Sequence, residues 1–142
     1  REGSVVSADN FPKAVPDEGS YEAATAPWPV ELRVFKEEDR LEINFTDGHA
    51  GALTAEYLRV ESPSAEVQGH GPSQKKIVAG RRHVKIAAVE PVGHYAIRIV
   101  FDDGHDSGIY SWAYLRELSE THAERWTAYQ AALLQRGLSR DP

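Results

Sequence analysis

Four side chains of this sequence are of the types that bind a divalent metal. His105 follows an Asp-Gly pair, and Glu61, Glu66 and His70 lie within one polar, glycine-rich stretch, LRVESPSAEVQGHGPSQKK. If they converge, they offer oxygen and nitrogen ligands for zinc or iron, and such a site needs several of them together. The alternative is that His105 only caps its turn and forms local hydrogen bonds, as the histidine of a second Asp-Gly-His sequence would also do.

Catalytic motifs are scarce. The sequence has no G-x-S-x-G nucleophile elbow and no H-E-x-x-H motif, and it has no cysteine, so thiol nucleophiles and disulfides are excluded. Gly69, Gly71 and Lys75 miss the spacing of a phosphate-binding P-loop, and Pro72 interrupts the segment. We therefore expect a protein that is not an enzyme.

A block of positive charge overlaps the polar stretch. Between Val67 and Val89 there is no acidic residue, while five of the chain's 16 basic residues lie there, which leaves 11 basic against 22 acidic residues elsewhere, a difference of −11. Such a patch attracts an anionic partner or ligand, or else it is a solvated loop with ordinary charges. The overall charge of −6 argues against a nucleic-acid partner. We predict a partner-binding face made of Glu61, Ser62, Ser64, Glu66, His70, Lys75, Lys76, Arg81 and Arg82.

A polar and aromatic cluster follows His105. Tyr110, Ser111 and Trp112 are consecutive in the segment GIYSW. They could line a pocket for a small ligand. Alternatively, the two aromatic side chains pack in the core and each anchors a hydrogen bond.

Short strands must position these residues. Residues 1–26 mix Pro, Gly, Ser and acidic residues without an apolar period, which predicts a disordered leader. Glu31–Phe35 and Leu41–Phe45 alternate apolar and polar residues around a charged turn, which predicts a β-hairpin.

No apolar run approaches the roughly 18 residues that cross a bilayer. The absence of cysteine is compatible with a reducing cytoplasm, and we expect a cytoplasmic protein.

The sequence contains an internal repeat. LEINFTDGHAGALTAEYLR aligns with IRIVFDDGHDSGIYSWAYLR, which carries one inserted residue, and each copy is preceded by a further strand, the second at Val84–Val89. Asp-Gly suits the positive φ of a tight turn. We predict an α+β fold in which two similar small antiparallel β units pack together with approximate twofold symmetry, with short helical turns and a C-terminal helix. The matched residues are Phe45, Asp47, Gly48, His49, Tyr57, Leu58 and Arg59 with Phe101, Asp103, Gly104, His105, Tyr114, Leu115 and Arg116.

A C-terminal helix follows the domain that we place at residues 27–118. Thr121 and Glu124 have the spacing of a capping box, and Gly137 suits the position after the helix end. We place the helix at residues 119–137 and expect residues 138–142 to fray.

One stripe of this helix is apolar. Trp126, Tyr129 and Leu133 share it, with Leu134 beside it. The stripe either packs on the sheet or forms a surface for a homodimer or another partner.

Three blocks of the sequence, WPVELRV, LRVESPSAEVQGHGP and IAAVEPVGHYAIRIVFDDGHDSGIYSW, resemble the DUF971 family, the γ-butyrobetaine-hydroxylase-like N-terminal domain. The resemblance covers about residues 27–118. It implies an accessory module: related domains stand alone in bacteria, precede the catalytic domain of carnitine-synthesis oxygenases, or are attached to P-loop ATPases that carry iron–sulfur clusters.

The oxygenase members hold zinc through a C-x-C-x-x-C run and a histidine. By resemblance, these positions correspond to Ser62, Ser64, Val67 and His105. Because serine hydroxyls are poor zinc ligands and valine is none, the resemblance implies that the inherited zinc site is lost. We expect hydrogen bonds to order this loop in place of a metal, with His105 close behind it.

The leading hypothesis is therefore a non-catalytic adaptor in a metalloenzyme or iron–sulfur pathway, without a cofactor of its own. Two alternatives stay open. The first is a module that binds zinc or iron through His105 with oxygen or nitrogen ligands, and the second is a small-ligand domain at Tyr110, Ser111 and Trp112.

Overall fold

The computed structural model describes residues 4–5, 28–69 and 75–142. Apart from a two-residue strand at Ser4–Val5, the predicted leader lies outside the described residues, as does His70. In the part of the chain that is described, no helix is long and apolar enough to cross a membrane.

Two antiparallel sheets confirm the predicted pair of β units. In the first unit, β2 (Pro29–Phe35), β3 (Arg40–Phe45) and β4 (Ala50–Thr54) form three successive strands, and β1 (Ser4–Val5) adds a short fourth strand beside β2. In the second unit, the strands are β5 (Ile86–Val92), β6 (Ala96–Phe101) and β7 (Gly108–Ser111). The strand predicted at Val84–Val89 therefore begins and ends later, where β5 pairs with β6 through a register shift between Ile86 and Ala88.

Helices follow each sheet. α1 (Ala55–Val60) and a short α2 (Ala65–Gln68) follow the first, and α3 (Trp112–Glu120) follows the second. The N-caps are equivalent: the hydroxyls of Thr54 and Ser111 accept hydrogen bonds from the N–H groups of Tyr57 and Tyr114. The fold is α+β, as predicted.

The two Asp-Gly-His turns are built in the same way. Gly48 and Gly104 have φ of +87° and +92°, where a side chain would be strained. The aspartate of each turn accepts a hydrogen bond from the N–H of the histidine, Asp47 from His49 at 3.3 Å and Asp103 from His105 at 3.0 Å. Each turn thus points its histidine back toward the other unit.

The units exchange contacts reciprocally. Tyr57 donates its hydroxyl to Leu118 O at 2.8 Å, and its counterpart Tyr114 donates to Glu61 O at 2.5 Å. Likewise, Arg59 pairs with Asp103, and Arg116 pairs with Asp47, each at 2.8 Å. His49 Nε2 lies 2.7 Å from Ser119 Oγ, and His105 Nε2 lies 2.9 Å from Ser62 Oγ. This reciprocity is the contact pattern of a duplicated unit packed on its own copy.

One hydrophobic core joins the two sheets. It contains fully buried side chains from both units, with Leu32 and Ile43 from the first and Ile97 and Ile99 from the second. Because neither small sheet encloses a core alone, each unit depends on the other for burial.

The C-terminal helix α4 (His122–Gln135) confirms the predicted element but not its cap. Thr121 forms no side-chain cap, because it follows α3 directly and its hydroxyl donates instead to Glu117 O at 2.7 Å. The predicted end is confirmed: Gly137 has φ of +68°, and the N–H of Leu138 donates to Leu133 O, which is the Schellman arrangement.

The apolar stripe of α4 packs on other elements than the sheet. Tyr129 and Leu133 cluster with Val60 of α1 and with residues 77–79, while Leu134 is 82% exposed. Packing inside the chain therefore describes Tyr129 and Leu133, which are buried, and Trp126, which is partly buried, but the cluster partners are a helix end and an extended segment and not the predicted sheet.

Residues 138–142, for which the sequence predicted fraying, form hydrogen bonds with the rest of the chain. The N–H groups of Gly80 and Arg82 donate to Ser139 O and Arg140 O at 2.9 and 3.0 Å. Arg140 also forms two hydrogen bonds, at 2.7 and 2.8 Å, with the buried carboxylate of Glu56. The last residues therefore form a strap across the segment at residues 80–82.

Candidate functional site

The centre of the candidate site is a hydrogen bond between the two units. Ser62 lies just after α1 and is fully buried, and its Oγ is 2.9 Å from His105 Nε2. The N–H of Ser64 donates to the same hydroxyl at 3.2 Å. Gly108 lies so close that a Cβ there would be 2.7 Å from Ser62 Oγ. Ser62 is therefore held from several sides.

A second set of hydroxyl contacts continues to the surface. Ser64 Oγ is 2.7 Å from Ser107 Oγ, and Ser107 donates to Glu66 Oε2 at 2.5 Å. Ser64 also caps α2 by accepting from the N–H of Glu66. Inside the loop, Gln68 donates its side-chain amide to Ser62 O at 2.7 Å. The sequence expectation that hydrogen bonds order the loop, with His105 behind it, agrees with this geometry.

Burial sets the charge state of the central histidine. Desolvation, together with the guanidinium of Arg59, lowers the pKa of His105 below its ordinary value, although Glu66 acts in the opposite sense. The hydrogen bond from Ser107 lowers the pKa of Glu66. At neutral pH the site therefore contains a neutral imidazole beside an ionised carboxylate.

The side chains at the positions implied for zinc do not fit that ion. Both hydroxyls are already engaged in hydrogen bonds, and Val67 presents a buried aliphatic side chain. Zinc prefers thiolate, imidazole or carboxylate ligands. The residues that the structure describes include no group of three or more His, Cys, Asp or Glu side chains arranged to hold a metal.

Of the other predicted metal ligands, Glu66 lies near His105, whereas Glu61 forms its ion pairs with other residues. Glu66 Oε2 is 3.7 Å from His105 Nδ1. Glu61 instead faces two cations, with its Oε1 2.8 Å from Lys75 Nζ and 3.0 Å from Arg125 Nη1. His70 lies outside the described residues.

Introducing three cysteines tests the interpretation that this loop lacks zinc because it lacks thiolates. We expect that the variant Ser62→Cys/Ser64→Cys/Val67→Cys, purified without chelator, carries close to one zinc per chain, and that the unmodified protein does not. The measurement is elemental analysis of untagged protein. The control is the same triple variant with His105→Ala, which should bind zinc more weakly. Stoichiometric metal in the unmodified protein that His105→Ala removes would show that oxygen ligands suffice.

The predicted basic stretch is largely paired with acids of the same chain. Besides the pair between Lys75 and Glu61, Arg81 lies 2.8 Å from Asp103 and Arg82 lies 2.6 Å from Asp141. Lys85 is a looser 3.4 Å from Asp39. Lys76 is exposed, its backbone N–H donates to Val67 O, and its charge helps to lower the pKa of Glu66. The stretch thus presents less free positive charge than its sequence indicates.

A groove lies beside this stretch, between α4 and the extended segment at residues 75–78. It has a volume of about 270 Å³ and is lined by Lys75, Lys76, Ile77, Val78, Arg125 and Tyr129 among others. Sequence reasoning did not identify Arg125, which lies 64 residues from the glutamate it contacts. The apolar stripe of α4 was the signal that could have identified Arg125. Arg125 lies next to this stripe, so it must border the elements that pack on the stripe.

Tyr110, Ser111 and Trp112 serve the fold. Tyr110 is fully buried and donates its hydroxyl to Leu58 O at 2.5 Å, so burial raises its pKa strongly. Ser111 caps α3, and the indole N–H of Trp112 donates to His94 O at 2.8 Å. Of the two possibilities for this segment, a ligand pocket or core packing, the contacts of these residues are those of core packing with one hydrogen bond from each aromatic side chain.

Comparison with known proteins agrees with the architecture. The sequence pattern of the family described as gamma-butyrobetaine hydroxylase-like, N-terminal, matches residues 32–116. Two structures determined by NMR in solution each superpose with a TM-score of 0.71. The first is 43% identical, and the match covers 82% of this chain and 91% of the other. The second is 39% identical, and the match covers 91% of this chain and 92% of the other.

A crystal structure from Acidithiobacillus ferrooxidans is also similar. It is described as a protein of unknown function of the DUF971 family and is 42% identical over 65% of this chain and 92% of its own, with a TM-score of 0.55. No curated protein matched.

Proposed function

The chain belongs to the gamma-butyrobetaine hydroxylase-like, N-terminal family, and on that premise we propose that it is a non-catalytic adaptor that binds a partner protein in a cytoplasmic metalloenzyme or iron–sulfur pathway. The resemblance to domains attached to such enzymes supports the pathway. The adaptor needs no cofactor and does not act on nucleic acid. Its partner-binding face includes the predicted residues that border the groove.

The groove beside α4 is the observation that carries this proposal. We call its apolar lining residues Ile77, Val78 and Tyr129 the floor, and its positively charged lining residues Lys75, Lys76 and Arg125 the rim. Glu61, one of the predicted face residues, lies at its base with its side chain only 5% exposed. An apolar floor with a charged rim is the usual anatomy of a protein interface.

The charges of the groove select its occupant. Three cations border it, and Glu61 is the acid among its lining residues, while the chain as a whole has a net charge of −6. A partner segment with acidic residues around an apolar side chain is therefore complementary in both charge and polarity. Basic or purely apolar segments are not.

The variant Lys76→Glu tests the proposal. Lys76 is exposed, so the substitution changes the rim without disturbing the pair between Lys75 and Glu61. We expect it to weaken partner capture about tenfold, because an attractive charge becomes a repulsive one at the rim. The measurement is pull-down from the source cytoplasm followed by titration of the recovered partner.

The matched control is Lys36→Glu, since Lys36 is also exposed but lies in the turn between β2 and β3. It should retain the partner. Equal loss in both variants would indicate nonspecific attraction, and retention in both would contradict this surface. A second copy of the chain on α4, next to exposed Leu134, is a further outcome, and a concentration-dependent mass in sedimentation would reveal it.

A metal-binding module is the second candidate, because both ring nitrogens of His105 have oxygen neighbours. These are Ser62 Oγ at 2.9 Å and Glu66 Oε2 at 3.7 Å. Only the carboxylate is a good ligand, so a metal there needs further donors. The elemental analysis described above decides between the two candidates.

A further inference from the structure

A buried arginine of the first unit has a donor group without an acceptor. Arg59 donates Nε to Asp103 Oδ2 at 2.8 Å, and its side chain is only 10% exposed. Within the described part of the chain, its Nη1 is buried and has no hydrogen-bond partner. Because an unpaired buried N–H loses its hydration without compensation, an acceptor placed there would be strongly favoured.

Arg81 brings a second guanidinium to the same carboxylate. Its Nε is 2.8 Å from Asp103 Oδ2, although that N–H is not aligned for a hydrogen bond. Asp103 Oδ1 already accepts from the N–H of His105. Although burial opposes it, this N–H and the two guanidinium groups lower the pKa of Asp103. One carboxylate thus serves two guanidinium groups.

The twin position in the second unit is satisfied in full. Arg116 donates Nη1 and Nη2 to both oxygens of Asp47 at 2.9 and 2.8 Å, and Nε to Glu120 at 2.7 Å. In the aligned repeat, Pro63 stands where the second unit has Glu120. The second unit therefore sets two carboxylates against one guanidinium, and the first sets two guanidinium groups against one carboxylate.

We propose that Arg59 and Arg81 form a binding site for a small oxyanion, a carboxylate or a phosphate. The oxyanion is the second acceptor that the first unit lacks. It accepts from Arg59 Nη1, because Arg59 Nε is already bound to Asp103, and from the guanidinium of Arg81. Such charge-assisted hydrogen bonds are the strong ones, and guanidinium geometry suits both anions. Glu66 is the next acid on this side, but its side chain is 67% exposed and can turn to solvent.

Access limits the size of the ligand. Arg59 is nearly enclosed, whereas the side chain of Arg81 is 34% exposed, so an anion enters along Arg81. Because Arg59 Nη1 is buried, the partly exposed side chain of Arg81 has to shift for a small ion to reach it, and a folded macromolecule is excluded. Binding therefore does not depend on the groove or on the adaptor role.

Titration of isotopically labelled protein with inorganic phosphate, and separately with succinate, tests the site. Chloride at matched ionic strength is the blank, and NMR signals of arginine side chains and backbone amides are the readout. We expect saturable shifts confined to Arg59, Arg81 and the turn at residues 103–105, with a Kd of about a millimolar. Saturation with either anion supports the proposal. Shifts that do not saturate, or that chloride reproduces, overturn it.

Two variants separate the site from general charge. Arg81→Gln, at a partly exposed residue, should weaken binding about tenfold or more. Arg116→Gln removes the same charge at the twin position, where two acids are present, and should leave the Kd unchanged. Amide spectra confirm that each variant is folded. Arg59→Lys keeps the charge without the Nη groups and should also weaken binding, whereas an unchanged Kd in both Arg81→Gln and Arg59→Lys would contradict the site.

Discussion

Phe101→Ala is expected to lower the free energy of unfolding by about 3–5 kcal/mol and to loosen both β units together. Phe101 is 1% exposed and lies at the end of β6, in a core whose buried side chains come from both sheets. We therefore expect the cavity left by the ring to disturb the packing of both units. Urea denaturation followed by circular dichroism measures the loss, and amide hydrogen exchange shows where protection falls.

The duplication supplies matched variants for this experiment. Phe45→Ala removes the equivalent ring, which is 2% exposed, and should cost a similar amount. Ile109→Ala on neighbouring β7 is the control, since Ile109 is 47% exposed and should change stability by no more than about 0.5 kcal/mol. If β2–β4 stayed protected while β5–β7 lost protection, the units would fold independently and the reciprocal contacts would be incidental.

Arg140→Ala is expected to destabilise the chain by about 2–3 kcal/mol, because it leaves the buried carboxylate of Glu56 without its cation. The side chain of Glu56 is 7% exposed and accepts two hydrogen bonds from Arg140. The arginine itself is 27% exposed, so water partly replaces it and the effect stays below that of a fully enclosed pair. Thermal and urea unfolding measure the change.

A double substitution distinguishes charge burial from loss of packing. Glu56→Gln added to Arg140→Ala should recover part of the lost stability, since a neutral amide costs less to bury than an unpaired carboxylate. Arg136→Ala, at an exposed residue of the same helix end, should have little effect. Equal losses for Arg136→Ala and Arg140→Ala would mean that the strap contributes through general charge alone.

Several features of the fold could be predicted because their signals are local. Alternation in Glu31–Phe35 and Leu41–Phe45 indicated strands, and these segments lie within β2 and β3. Asp-Gly at both turns indicated positive φ, and Gly137 indicated a helix end. The predicted cap at Thr121 was wrong. A capping signal depends only on nearby residue types, and it does not show that the Thr121 hydroxyl donates to Glu117 O of the preceding helix.

The candidate site was predictable only in part. The family resemblance placed Ser62, Ser64 and His105 together, and the structure shows Ser62 and His105 in contact. The resemblance did not indicate that Ser107 would join them or that Arg125 would reach Glu61 across 64 residues. The charges of residues 75–85 were visible in the sequence, but their acidic partners were not.

By itself, the sequence determined the strands, the turns and the repeat, since each depends on residue types at short, regular spacing, and its resemblance to known proteins indicated the family. The tertiary structure alone decided which polar groups meet: His105 with Ser62, Arg140 with Glu56, and two arginines with one Asp103. The physical reason is that hydrogen bonds and ion pairs need a distance of about 3 Å. The residues that meet at this distance are far apart in the sequence, and no regular spacing in the sequence connects them. Folding of one unit against its copy brings those residues together.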